Sequence, residues 1–266
     1  MENLSKEKSS LIIKIKESQH VTSIILNDPD KLNAMGEAMA EQFSEAIQQV
    51  RQDQTCRVLV IKGSGKAFSA GGDLDMLQHK TTLTPQENQV GMLKFYRSFL
   101  ALLQVEIPVV AAINGHAVGA GLCVAVACDM RIASTAAKLG FNFVRLGLHP
   151  GMGITHTLPN LIGPAHAAEL LYTGRIISAA EAQRIGLVNH IVDAEKFDEA
   201  ALGIANEIAT AGPHAVRDLK HSLKQMASRT LNECLAREAE AQSKSYAGQE
   251  FKTGLAAIRE KRDPQF

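Results

Sequence analysis

The sequence carries no net charge: 28 lysines and arginines meet 28 aspartates and glutamates, and no long basic run disturbs the balance. This excludes nucleic-acid binding through a bulk positive field, since such proteins concentrate Lys and Arg against the phosphates. Cysteine is scarce, with four in 266 residues. Cys56 and Cys234 stand alone and the Cys123–Cys128 spacing matches neither a zinc nor a thioredoxin-like motif, so reduced thiols in a cytoplasmic protein are expected. An unbroken apolar run is lacking too. The most apolar stretch, 107–127, is interrupted by Pro108, Asn114, Gly115, His116 and further glycines, which predicts a buried strand, a turn and a helix start instead of a membrane span. Residues 1–10 have no apolar segment of the secretory kind and are expected to be a flexible N-terminus. A metal-ligand cluster, a nucleophile elbow, a dinucleotide fingerprint and a fixed-period repeat are all missing.

What the sequence does contain is a folded protein's composition, 45% hydrophobic and 21% charged. At this length folding removes roughly 70–75% of the unfolded chain's surface from water, enough for a core without disulfides. Leu11–Lys16 and Val21–Leu26 are β-branched runs joined by polar residues and predict a hairpin. Met39, Phe43, Ile47 and Val50 recur at helical spacing over 36–51. Residues 57–62 and 109–113 read as buried strands, 130–133 as another, and 93–103 as a helix, while the threonines and Pro85 of 77–88 predict a mobile loop. Strand, strand, helix units over 11–193 imply a layered α/β body. Helical patterns over 194–211, 214–228 and 230–245 imply a helical C-terminal region, 194–266.

Two glycine-rich turns can carry chemistry. Lys66–Leu74 follows the strand ending at Lys62, and Asn114–Gly121 lies between the 109–113 strand and the apolar helix that begins near Leu122. Small residues let a ligand approach the backbone, and free amides at a helix start stabilise developing negative charge. Each turn alone is equally a tight connection or a close packing contact. Together they suggest a paired hole for one polarised carbonyl oxygen.

The order of Asn27–Met35, Phe68-Ser69-Ala70-Gly71-Gly72-Asp73-Leu74, Ile113–Gly121, Cys128–Ala133, Gly147–Gly153, Leu171–Gly174, Ala179–Val188 and Gly254–Arg262 resembles the crotonase superfamily, also called the enoyl-CoA hydratase/isomerase family. The match runs over about residues 11–266. The resemblance implies a spiral of ββα units with a helical C-terminal region used in trimer formation, trimers commonly pairing into hexamers. It implies an acyl-CoA thioester as substrate with no further cofactor. Two backbone amides, mapped onto Ala70 and Ala120, would hold the thioester oxygen. The CoA moiety would run along Lys31, Leu32, Asn33 and Ala70, Gly71, Gly72, Asp73, with Lys261 and Arg262, often a neighbouring subunit's, as candidates for its phosphates.

The same resemblance marks a departure. The two glutamates typical of hydratases align with Cys123 and Phe143, and the later aspartate of some relatives aligns with Pro150 and Gly151. A buried thiol is a poor substitute for a carboxylate, so Cys123 also reads as a small buried hydrophobe. His149, in the loop expected to line the acyl pocket, is the candidate proton carrier, with a backbone-bonded loop histidine as the plain alternative. Asp73 is expected to fix its turn, and His116 to cap or pack. The leading reading is an enoyl-CoA hydratase/isomerase family enzyme that stabilises an enolate. A decarboxylase or other enolate-forming lyase, and a non-catalytic acyl-CoA binder, are the alternatives.

Overall fold

The expected hairpin, β1 (Ile12–Lys16) and β2 (Val21–Leu26), opens the fold as an antiparallel pair in a computed structural model that describes residues 10–225 and 228–266. The flexible N-terminus expected over 1–10 falls almost wholly outside those residues. Helix α1 (Glu37–Gln52) buries Met39, Phe43, Ile47 and Val50 on one stripe, as their spacing requires. The chain continues through β3 (Val58–Gly63), β4 (Ala67–Ser69), α2 (Leu74–Lys80) and α3 (Pro85–Phe99). Next come β5 (Val109–Ile113), β6 (His116–Val118), α4 (Ala120–Ala127), β7 (Met130–Ser134) and β8 (Lys138–Gly140). Helices α5 (Ile154–Ile162) and α6 (Pro164–Thr173), β9 (Ile176–Ser178), α7 (Ala179–Arg184) and β10 (His190–Val192) complete the body.

From β3 to β8 successive strands alternate between two sheets. The longer strands β3, β5 and β7 join a six-stranded sheet of order β1-β2-β3-β5-β7-β10, parallel from β2 to β10, and the short β4, β6 and β8 join a four-stranded sheet of order β4-β6-β8-β9. This alternation winds the ββα units into a spiral, the architecture the resemblance implies. Strands β2 and β5 are buried along their whole length, which explains why they lack the alternation of a half-exposed strand. On one face of the large sheet, Phe43, Ile47, Phe68 and Phe99 join the main core; on the other, Val21, Val58, Val60 and Val110 meet Phe197, Ala201 and Ala205 of α8 (Phe197–Ala209).

The stretch 107–127 is the expected strand, turn and helix, and no described helix is long and apolar enough to cross a membrane. Segment 77–88 differs from expectation. It is mostly helical, because Thr84 caps α3, its hydroxyl accepting from the Glu87 amide while Glu87 reaches back to the Thr84 amide. The residues read as breakers are a helix start signal. Helix α2 has no buried residue, so it shows no apolar stripe to detect.

After Asp193 the chain is helical: α8, α9 (Pro213–Gln225), α10 (Leu231–Ala247) and α11 (Gln249–Arg259). The last of these was not among the expected helices. Lys220 anchors α9 to the body through its ammonium, which donates to Ile107 O at 2.7 Å and to Asp129 Oδ2 at 2.6 Å.

Candidate functional site

The site is built on one buried side chain, Asn33. Leu32 and Asn33 both sit in the left-handed region, φ 52° and 56°, a conformation that needs compensation in non-glycine residues. Asn33 supplies it. Its Nδ2 donates to Ser64 O at 2.9 Å and Ala67 O at 2.8 Å, its Oδ1 accepts from Asp28 N at 2.8 Å, and its carbonyl accepts from Ser69 Oγ at 2.8 Å. These bonds staple segment 28–35 to β4 and to the turn that precedes it. They also bury the Asn33 side chain completely, so the expectation that it contacts CoA is corrected: it holds the wall of the site from behind.

Segment 32–35 then decides which amides are free. Ala70 N donates to Leu32 O at 2.9 Å. The expectation that Ala70 supplies an oxyanion donor is therefore corrected, because its N–H already has an acceptor. Further along, Met35 N donates to Gly71 O at 2.7 Å and Asp73 N donates to Met35 O at 3.1 Å. With the Gly71 carbonyl facing Met35, the trans peptide turns the Gly72 N–H the opposite way. No acceptor among the described residues takes the Gly72 N–H.

The second amide comes from α4. Gly119, its N-cap, adopts φ 52° and ψ −123°, a backbone geometry suited to glycine. Ala120 is the first helical residue, and its N–H has no acceptor among the described residues, as helix starts dictate. The two turns touch. A Cβ placed on Gly71 would lie 2.8 Å from Val118 O and 3.6 Å from Ala120 N, and one on Gly119 would lie 4.0 Å from Gly71 Cα and 3.9 Å from the Phe143 ring. Two unpaired amides thus flank a junction where Gly71 has no room for a side chain beside Val118 O and Gly119 holds a positive φ that disfavours one.

Around the junction, Asp73 caps α2, Oδ1 accepting from Met76 N at 2.9 Å while Oδ2 pairs with Lys31 Nζ at 3.1 Å. The Met76 amide first, and then Lys31, hold its carboxyl below the usual carboxylate range. Asp73 is the turn-fixing group expected of it. Lys31 is exposed and bridges Asp73 and Asp75, so its ammonium stands at the rim, and Leu32 is exposed beside it.

One helical turn beyond Ala120, Cys123 is buried, its Sγ 4.0 Å from Gly151 O. Desolvation drives its thiol far above the usual range, so it stays a neutral S–H. Phe143 is half-buried against the core. No carboxylate lies on α4 or on 142–151. His149 is exposed, with Nδ1 2.7 Å from Pro150 O, the backbone-bonded arrangement weighed as its plain alternative. His116 is exposed at the start of β6.

The residue missed from the sequence is Tyr96 of α3, whose hydroxyl abuts Gly151 beside Cys123. Its place in an apolar helical stripe hid the one polar atom it carries. Lys261 follows α11, which packs on α10, and the chain end beyond it is tied by Arg57 Nη2 donating to Phe266 O at 2.6 Å. Arg57 precedes β3, at the end of that strand opposite the Ala67–Asp73 turn. No hydrogen bond or ion pair joins Lys261 to the other predicted site residues among those described.

The family model for enoyl-CoA hydratase/isomerase matches residues 16–266. Crotonyl-CoA hydratase of Syntrophomonas wolfei is 36% identical over 253 residues, 95% of this chain and 96% of that protein. A putative enoyl-CoA hydratase of Thermus thermophilus is 35% identical over 94% of this chain and 98% of its own. The crystal structure of enoyl-CoA hydratase from Bacillus anthracis superposes with a TM-score of 0.91 at 35% identity, covering 97% of this chain and 99% of that one. These likenesses, over nearly the whole chain, establish that the protein belongs to the enoyl-CoA hydratase/isomerase family.

Proposed function

We propose that the protein binds an acyl-CoA and forms and protonates the enolate of its thioester, with the Gly72 and Ala120 amides donating to the thioester oxygen. The observation that carries this reading is the pair of unpaired N–H groups flanking the Gly71–Gly119 contact. In a water-poor site, one such donor contributes about 2.7–4 kcal/mol to the stabilisation of an oxyanion. Exposed Leu74, Leu146 and Leu148, on the segments that follow Gly72 and Phe143, offer apolar surface to an acyl chain.

Among reactions that pass through this enolate, the side chains favour one that needs no enzymic carboxylate. Loss of carbon dioxide from an acyl-CoA that carries a carboxylate on its α-carbon generates the enolate from the substrate's own C–C bond. Hydration of a 2-enoyl-CoA is the second reading, favoured by the names of the relatives. Incubating the protein with malonyl-CoA, methylmalonyl-CoA and crotonyl-CoA separates the two. Carbon dioxide release supports the first, water addition to crotonyl-CoA supports the second, and tight acyl-CoA binding with neither leaves a non-catalytic binder.

The exposed apolar side chains of α9–α11, among them Leu219, Leu223, Leu235, Phe251 and Ile258, support the expected trimer. Lys261 then serves a neighbour's CoA in preference to its own chain's. Sedimentation at micromolar concentration tests this; a monomer would reject it.

A further inference from the structure

Tyr96 stands on α3 across from the first turns of α4. Its ring packs edge-on to Phe95, centroids 6.3 Å apart at 70°, and against the main core. The hydroxyl end comes close enough to Gly151 that a Cβ there would sit 2.3 Å from Oη and 2.7 Å from Cζ. Gly151 O is in turn 4.0 Å from Cys123 Sγ. The phenol therefore ends in the wall formed by Cys123 and Gly151, one helical turn from the free Ala120 amide. No described residue takes or gives a hydrogen bond at Oη, and it is not among the fully buried unpartnered atoms, so it remains open to a ligand.

We propose that Tyr96 is the catalytic residue that delivers the proton to the α-carbon of the thioester enolate. The proposal rests on the enolate reading above and adds the group that completes the reaction. In decarboxylation, the bond between the α-carbon and the carboxylate breaks, and its electron pair enters the enolate held by the two amides. Carbon dioxide departs. The Tyr96 O–H bond then breaks, its proton forms the new C–H bond, and the enolate pair returns to rebuild the thioester carbonyl. The tyrosinate recovers its proton from water.

The other proton-bearing groups nearby are less suited. The Cys123 thiol is shut in the apolar helix interface, and the exposed His149 ring is turned onto its own loop by the contact with Pro150 O. Burial holds the Tyr96 phenol above its usual value, so it meets the enolate fully protonated. A single fixed donor also implies stereochemistry, because the proton reaches only one face of the planar enolate.

The test compares the wild-type protein with Tyr96→Phe on methylmalonyl-CoA in D2O, reading the rate and the configuration of the deuterium at C2 of the propionyl-CoA formed. The wild type is expected to give one enantiomer. Tyr96→Phe is expected to lose at least tenfold in turnover and give a near-equal mixture, with propionyl-CoA binding and thermal midpoint unchanged. Crotonyl-CoA supplies the same readout at C2 of 3-hydroxybutyryl-CoA if that is the substrate turned over. A Tyr96→Phe protein that keeps both rate and a single configuration removes Tyr96 and leaves the enolate reading standing. A wild type that turns over none of malonyl-, methylmalonyl- and crotonyl-CoA overturns the enolate reading, and the Tyr96 proposal with it.

Discussion

In the α/β body, β2 and β5 are buried along their whole length, whereas α10 buries no residue, α11 only Ala257 and α9 only the ammonium-bearing Lys220. The body is held by apolar burial on both faces of a parallel sheet. The last three helices attach through polar contacts, among them the ion pairs Lys220–Asp129 to the body and Arg237–Asp218 between α9 and α10 and the bonds of Lys220 and Lys224 to Ile107 O and Leu103 O, and leave several leucines exposed. The difference separates two tasks. Closely packed backbone is what would hold the two proposed donor amides in place, and a sheet buried on both faces provides it; the helical region keeps exposed apolar side chains that the proposed trimer would cover.

The largest effect is expected from Gly71→Ala, in the α/β body. Gly71 has φ 99° and no room beside Val118 O, so the methyl would part the two turns. Turnover is expected to fall by about 10²–10³-fold, measured by steady-state kinetics, with the protein still folded.

Lys220→Met comes next. It leaves Ile107 O without its buried partner and Asp129 with only the Val109 amide. Because the Asp129 side chain is 32% exposed, the loss should sit at or below the low end for a broken buried pair, about 2–3 kcal/mol. Thermal denaturation and proteolysis should show it in the helical region first.

A smaller effect is expected at Asp73. Its folded-state pKa is depressed, so its stabilisation is complete above the unfolded value near 4 and fades as pH falls through the folded value. Asp73→Ala should therefore cost about 1 kcal/mol at neutral pH and progressively less in acid. A difference that grows in acid would contradict the cap. Cys123→Ser should change least, within about threefold in turnover, because the thiol is already a neutral group; a loss of a hundredfold would restore Cys123 to the chemistry.

The hairpin, the buried strands and the α1 stripe were legible in the sequence because their periodicity is a direct consequence of which faces are covered. The paired glycine turns were legible for the same reason: only glycine-rich segments approach this closely. Which amide each turn leaves free was not. That choice between Ala70 and Gly72 depends on segment 32–35 lying alongside and accepting the Ala70 N–H, a long-range pairing that leaves no local trace. The CoA contact expected of Asn33 rests on the resemblance, which runs the CoA along 31–33; the burial of its side chain depends on Ser64 and Ala67, 31 and 34 residues away, lying around it. Tyr96 was hidden by its neighbours, since an aromatic in an apolar helical stripe reads as core until the hydroxyl's surroundings are known. The side chains of α2 carry no stripe, and the start signal of α3 uses the residues that also make loops.

Polarisation of a thioester carbonyl by the proposed Gly72 and Ala120 amides is read in the infrared stretch of a bound acyl-CoA labelled with carbon-13 at that carbonyl. A clear shift to lower frequency is expected on binding to the wild-type protein, lost in Gly71→Ala. A bound carbonyl vibrating at its frequency in water, in a protein that nonetheless turns over its substrate, would contradict it.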